Sequence, residues 1–195
     1  MIRNDERRWG AVAQTLHWLI AALVLTMFGL GWYMSDLPLG PHRSEMVQLH
    51  RSLGLTILAL ALVRLAWCLF DPAPPLPTSL PGWERRAAHA SHFLLYALLF
   101  VQPAIGFLQA NAANAPVAVW GVLPLPALLA PDETLANSLI GVHEFVASVL
   151  AALVLIHVGA ALRHQFWLKD DIMRRMLPGA LLERPSAGPG GPSPR

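Results

Sequence analysis

With 195 residues, 55% of them hydrophobic and only 13% charged, the chain carries more apolar surface than one water-soluble core absorbs. Its formal charge is +2 and its pI near 9.2, but the basic residues flank apolar stretches and form no clustered patch, which excludes a nucleic-acid binder. One cysteine, Cys68, excludes an internal disulfide and a cysteine-held metal cluster.

A bilayer with a hydrocarbon layer of about 30 Å is crossed by about 20 apolar residues in a helix. The first stretch of that kind covers 14–33. Arg3, Arg7 and Arg8 precede it as in a secretory signal, yet it is too long for a signal's apolar region and lacks a convincing small-residue cleavage site, so a retained helix is expected. The second stretch, 47–70, carries His50 near its start and Arg64 further along. The segment Asp71–Gly82, DPAPPLPTSLPG, is too rich in proline for a helix and reads as an extended connection. A third stretch, 88–110, opens with His89 and His92, whose i, i+3 spacing puts them on one face. The loop 111–137 follows, with Trp120 and four prolines, and its apolar character places it against the membrane surface or as a cap on the bundle. The fourth stretch, 139–162, holds His143 and His157 and leads into an amphipathic RHQFWLKDD segment containing His164. Residues 179–195 have the low-complexity composition of a disordered tail.

The fold class implied is all-α, an integral membrane four-helix bundle occupying residues 1–178. Four spans bring both termini to one side. Lys and Arg concentrate before the first span, at Arg85 and Arg86, and from Arg163 onward, whereas only Arg43 and Arg51 fall on the other side, so both termini are expected to be cytoplasmic. Trp9, Trp18, Trp32, Trp67, Trp83 and Trp167 fall mostly near span ends, as an aromatic belt requires.

Ionisable side chains inside a bilayer are costly and mark functional positions. Depth sorts the histidines. His17 and His157 lie near the inner ends of the first and fourth helices, and His50 and His143 near the outer ends of the second and fourth. The fourteen steps from His143 to His157 give about 21 Å of rise and fall about 40° short of four turns, so both imidazoles project from nearly one face. Facing neutral imidazoles are the axial donor set of a low-spin haem iron. The spacing therefore points to one b-type haem near each leaflet, His17 with His157 inside and His50 with His143 outside. Without a CxxCH sequence such haems must be non-covalent. A single histidine is explained as well by a hydrogen bond to a nearby carbonyl; four at matched depths are not.

Arg64 lies about 21 Å beyond His50 on its helix, level with the inner pair. There it either pairs with haem propionates or snorkels to the headgroups. Arg51 is the corresponding propionate candidate outside. His89 and His92 remain open between metal ligation, a propionate, a quinone head group and solvation by headgroups. With His164 they are candidates for an inner quinone site.

These stretches resemble the prokaryotic cytochrome b561 family. The resemblance is carried by LHWLIAALVL around His17, LHRSLGLTILALALVRLAW from His50 to Arg64, AHASHFLLYALLF around His89 and His92, QPAIGF at Gly106, and GVHEFVASVLAALVLIHVGAALRHQFWLKDDIMRRML from His143. It covers about residues 7–178 and implies a di-haem protein of the bacterial inner membrane with His17, His50, His143 and His157 as axial ligands. It also implies exchange with the quinone pool, ubiquinone included, and a similar member oxidises superoxide at the outer face. An alternative is the haem b subunit of a larger dehydrogenase or hydrogenase, docked on a redox partner protein. A haem-free, histidine-lined transporter is the third reading, and the lack of acidic residues within the spans, apart from Glu144 at an outer end, disfavours it as a proton relay.

Overall fold

The computed structural model describes residues 1–6, 8–77 and 80–177. Arg7, Arg184, Arg195 and the tail 179–195 lie outside the described residues. Four helices are each long and apolar enough to cross a membrane: α1 Ala11–Asp36, α2 Pro41–Phe70, α3 Gly82–Ala112 and α4 Glu133–Arg163. Each outruns the apolar stretch that revealed it. Hydropathy marks only the hydrocarbon depth, whereas backbone hydrogen bonding continues into the headgroup zone until a local signal stops it. Pro41 stands at the first turn of α2, where a missing N–H costs nothing. The side chain of Asp132 caps α4 by accepting from the Leu135 N–H at 2.9 Å. Pro103 lies inside α3 without breaking it.

The longer helices shorten the connections. Gly82 already belongs to α3, and the loop expected over 111–137 contracts to the residues between Ala112 and Glu133. That loop contains an antiparallel hairpin, β1 Ala118–Val119 and β2 Leu123–Pro124, with Val119 opposite Leu123.

α1 packs on α2, α2 on α3 and α3 on α4, while α4 stands back from α1 and α2. A small cluster of Ile20, Val24 and Ile57 forms the core, with Phe28, Leu60 and Val154 of α4 against it. No large side chain among the described residues is completely buried. Many large apolar side chains point outward, among them Leu155 on α4 and Phe70 on α2. Such an outward apolar surface is what lipid solvates, and it marks the bundle as a membrane protein.

The end of the bundle where α1 begins, here the proximal end, is knitted together by its flanks. The Asn4 N–H donates to Asp71 Oδ2 at 2.9 Å, and the Asn4 side-chain amide donates to the carbonyls of Asp71 and Pro72. Asn4 Oδ1 accepts the Gly10 N–H at 2.8 Å. Gly10 lies directly beneath the carbonyls of Ile2 and Arg3, where a side chain has no room. Beyond α4 the chain makes a π-helical turn, His164–Leu168, and reverses at Lys169, whose φ of 54° is left-handed. It then runs back to α1, where the Trp9 N–H donates to the Arg175 carbonyl and Trp18 Nε1 to the Met176 carbonyl.

Candidate functional site

Two histidine pairs face each other across the gap between α4 and the α1–α2 pair. At the proximal end the rings of His17 and His157 have centroids 6.3 Å apart. At the opposite, distal end those of His50 and His143 are 6.1 Å apart. All four side chains are half-buried. An imidazole nitrogen bonds a first-row metal at about 2 Å, so two imidazoles on opposite sides of one metal hold their centroids about 6 Å apart. Both pairs match that spacing, and no group of three metal-ligating side chains forms among the described residues. Two opposed imidazoles at this spacing are a donor set that would hold a haem iron, His17 with His157 at one end and His50 with His143 at the other.

Local packing aims these rings. Gly106 of α3 has no side chain, and a Cβ there would meet His143 Cε1 at 3.1 Å and Nδ1 at 3.4 Å. Gln102, one turn earlier on α3, donates its side-chain amide to the His143 carbonyl at 3.0 Å and so ties α3 to α4 at this level. The buried Nδ1 atoms of His50 and His143 have no partner among the described residues.

His157 has a second imidazole neighbour, His92, at a centroid distance of 5.5 Å. Because α3 packs directly on α4, that approach is a contact between neighbouring helices, whereas His17 faces His157 across the gap. His89 is exposed one turn earlier on α3.

Arg64 lies within electrostatic reach of His17, His92 and His157, the level its spacing from His50 implied. Its Nε donates to the Tyr96 hydroxyl at 2.8 Å and its Nη1 to the Ala13 carbonyl at 2.9 Å, so the guanidinium bridges α1, α2 and α3. Arg51 lines an open depression of about 440 Å³ on the distal rim with Arg43, Ser44 and Gln48. His164 sits at the end of α4 with its Nδ1 2.6 Å from Asp170 Oδ2. Sequence reasoning missed Tyr96, Gln102 and Asp170 as the partners of the Arg64 guanidinium, the His143 carbonyl and the His164 ring. Tyr96 and Gln102 left one signal, a polar group within an apolar span.

The sequence profile of prokaryotic cytochrome b561 matches residues 8–179. Cytochrome b561 homolog 2 of Escherichia coli (strain K12) is 35% identical over 178 residues, covering 89% of this chain and 93% of that protein. Cytochrome b562 of Cereibacter sphaeroides is 30% identical over 172 residues, covering 84% of this chain and 90% of its own length. A protein of Yersinia pestis named probable superoxide oxidase CybB is 27% identical over 176 residues, covering 89% of this chain and 97% of its own. With four membrane-crossing helices and a match over nearly its whole described length, this chain belongs to the prokaryotic cytochrome b561 family, multi-pass bacterial membrane cytochromes that bind haem b.

Proposed function

We propose that this chain is a di-haem cytochrome that carries electrons across the bacterial inner membrane to or from the quinone pool. The observation that carries the reading is the facing imidazoles at two depths, 6.3 Å and 6.1 Å apart. Haem b, when bound, supplies reversible one-electron chemistry. His17 and His157 hold the proximal group and His50 and His143 the distal one. α4 sets their separation, since fourteen residues rise about 21 Å within a layer of about 30 Å. Arg64, kept in place by Tyr96 and the Ala13 carbonyl, offers positive charge to proximal propionates, and Arg51 does so at the distal rim. His164, with Nδ1 tied to Asp170, and His92 and His89 of α3 are assigned to a ubiquinone head group at the proximal, cytoplasmic end. A histidine oriented by a carboxylate is suited to exchange the protons that quinone reduction needs.

A second reading, favoured by the name of the Yersinia pestis relative, makes superoxide the electron donor at the distal rim, where Arg43 and Arg51 lie.

The test is haem stoichiometry by pyridine haemochrome on purified protein, paired with ubiquinone reduction by the same samples. Two haem b per chain are expected, and one each in His143→Ala and His157→Ala. His164→Ala should keep both haems and reduce quinone at least about tenfold more slowly. A colourless protein, or full haem content in either axial variant, overturns the ligand assignment. Unchanged quinone kinetics in His164→Ala remove the quinone site, and absence of superoxide-driven reduction removes the second reading.

A further inference from the structure

The connection from Ala113 to Pro131 contains no charged residue. Its hairpin is fastened to α2 by three contacts. Gln48 Nε2 donates to the Pro116 carbonyl at 3.4 Å, the Trp120 N–H donates to Ser52 Oγ at 3.0 Å, and Trp120 Nε1 donates to Thr56 Oγ1 at 3.2 Å. Gln48, Ser52 and Thr56 stand on successive turns of one helix face. The chain from Pro116 to Trp120 therefore descends α2 toward the middle of the bundle, and the contacts cover about 12 Å of its length.

The register of α1 against α2 sets the depth. A Cβ on Gly31 would lie 3.8 Å from the His50 ring, and one on Gly54 would lie 3.6 Å from Met27. Ser52 and Thr56 bracket Gly54, so the hairpin is bonded to α2 at the level of Met27, within the span. Arg51 at this level belongs to the depression that opens toward Arg43 and Ser44, the direction in which an arginine snorkels to water.

Four N–H groups of the hairpin are met within the protein. The Trp120 N–H has Ser52, the Gly121 N–H has the Ala118 carbonyl, the Val122 N–H has the Val119 carbonyl, and Leu125 donates to Val117. Pro124 has no N–H to satisfy. Trp120 adopts a left-handed φ of 53°, a strained conformation for a bulky residue, and its two hydrogen bonds to α2 hold it there. At the same tip Val122 is 82% exposed and Leu123 57%. With those N–H groups met, the tip turns apolar side chains outward and leaves the carbonyls of Trp120, Gly121 and Val122 to the hydrated headgroup zone, since non-helical backbone exposed to hydrocarbon does not persist.

We propose that the hairpin 118–124 is an interfacial element that inserts its Val122 and Leu123 side chains into the distal leaflet while its backbone stays at headgroup level, not a loop in the aqueous phase. Lipid is the partner that fits an apolar, charge-free tip whose Val122 and Leu123 side chains turn outward.

The test uses haem-loaded protein in phosphatidylcholine–phosphatidylglycerol vesicles. In a Cys68→Ser background, a nitroxide is attached at Val122→Cys and, as an aqueous reference, at Glu45→Cys on the exposed start of α2. Collision with oxygen and with a neutral nickel chelate is then measured. Oxygen accessibility exceeding that of the chelate several-fold at position 122, with the reverse at 45, is expected. Chelate accessibility at 122 equal to that at 45 overturns the proposal. Low accessibility to both reagents also overturns it, since protein and not lipid would then cover the tip. Unchanged haem absorption in each labelled variant checks that the bundle is intact.

Discussion

At position 106 the backbone of α3 touches the ring of His143, and the contact is possible only because the residue is glycine. In Gly106→Ala the added methyl would meet His143 Cε1 at 3.1 Å, so either the ring or the helix must shift. Overpacking of this kind costs about 1–3 kcal/mol, and here the cost falls on a proposed ligand. Gly106→Ala is expected to lose or spectrally shift the distal haem while the proximal one persists. Gly141→Ala on α4, where a Cβ meets nothing within 4 Å, should leave both unchanged. Reduced-minus-oxidised spectra of the two variants decide it, and equal spectra would show that Gly106 does not aim the ring. The glycine was visible in the sequence as a small residue in a span, but its partner was not, because that contact joins α3 to α4 across 37 positions of chain.

Asn4 shows what a single residue does for an element. It joins the segment before α1 to the turn after α2 through three hydrogen bonds and accepts a fourth from the Gly10 N–H, and Asp71 is buried where they meet. Replacing it leaves the Asp71 and Pro72 carbonyls and the Gly10 N–H without their partner, at about 1–3 kcal/mol for each group left buried and unsatisfied. Asn4→Ala should thus release residues before α1, seen as faster proteolytic trimming of the N-terminus with haem content retained. Trimming at the wild-type rate would mean that the other contacts of this end suffice. The proline-rich connection was legible as non-helical from composition. That it is stapled to the first residues of the chain was not, since neither asparagine nor aspartate announces a partner so distant in sequence.

For the whole molecule, the proximal cap brings the segment before α1 and the segment after α4 to one end of the bundle, as an even number of spans requires. The excess of Lys and Arg at that end motivates the proposal that it faces the cytoplasm. A fluorescent protein fused after Arg195 should fluoresce in cells, and alkaline phosphatase fused at the same point should be inactive. An active phosphatase would invert the topology and move the proposed quinone end to the other side.

The sequence by itself determined the four spans, because hydrophobic length against a fixed bilayer thickness is a local property, and it determined the depths of His17, His50, His143 and His157, because helical rise is constant. The rotation and spacing of the helices are not local. Only the tertiary structure decided that α4 stands back from α1 and α2 to leave the gap the histidine pairs face, and that His92 approaches His157 from the packed side. It alone showed Arg64 bridging three helices through Tyr96 and Ala13. The hairpin was equally illegible: two-residue strands carry no periodicity, and the Trp120 conformation is held by hydroxyls of Ser52 and Thr56 on another helix.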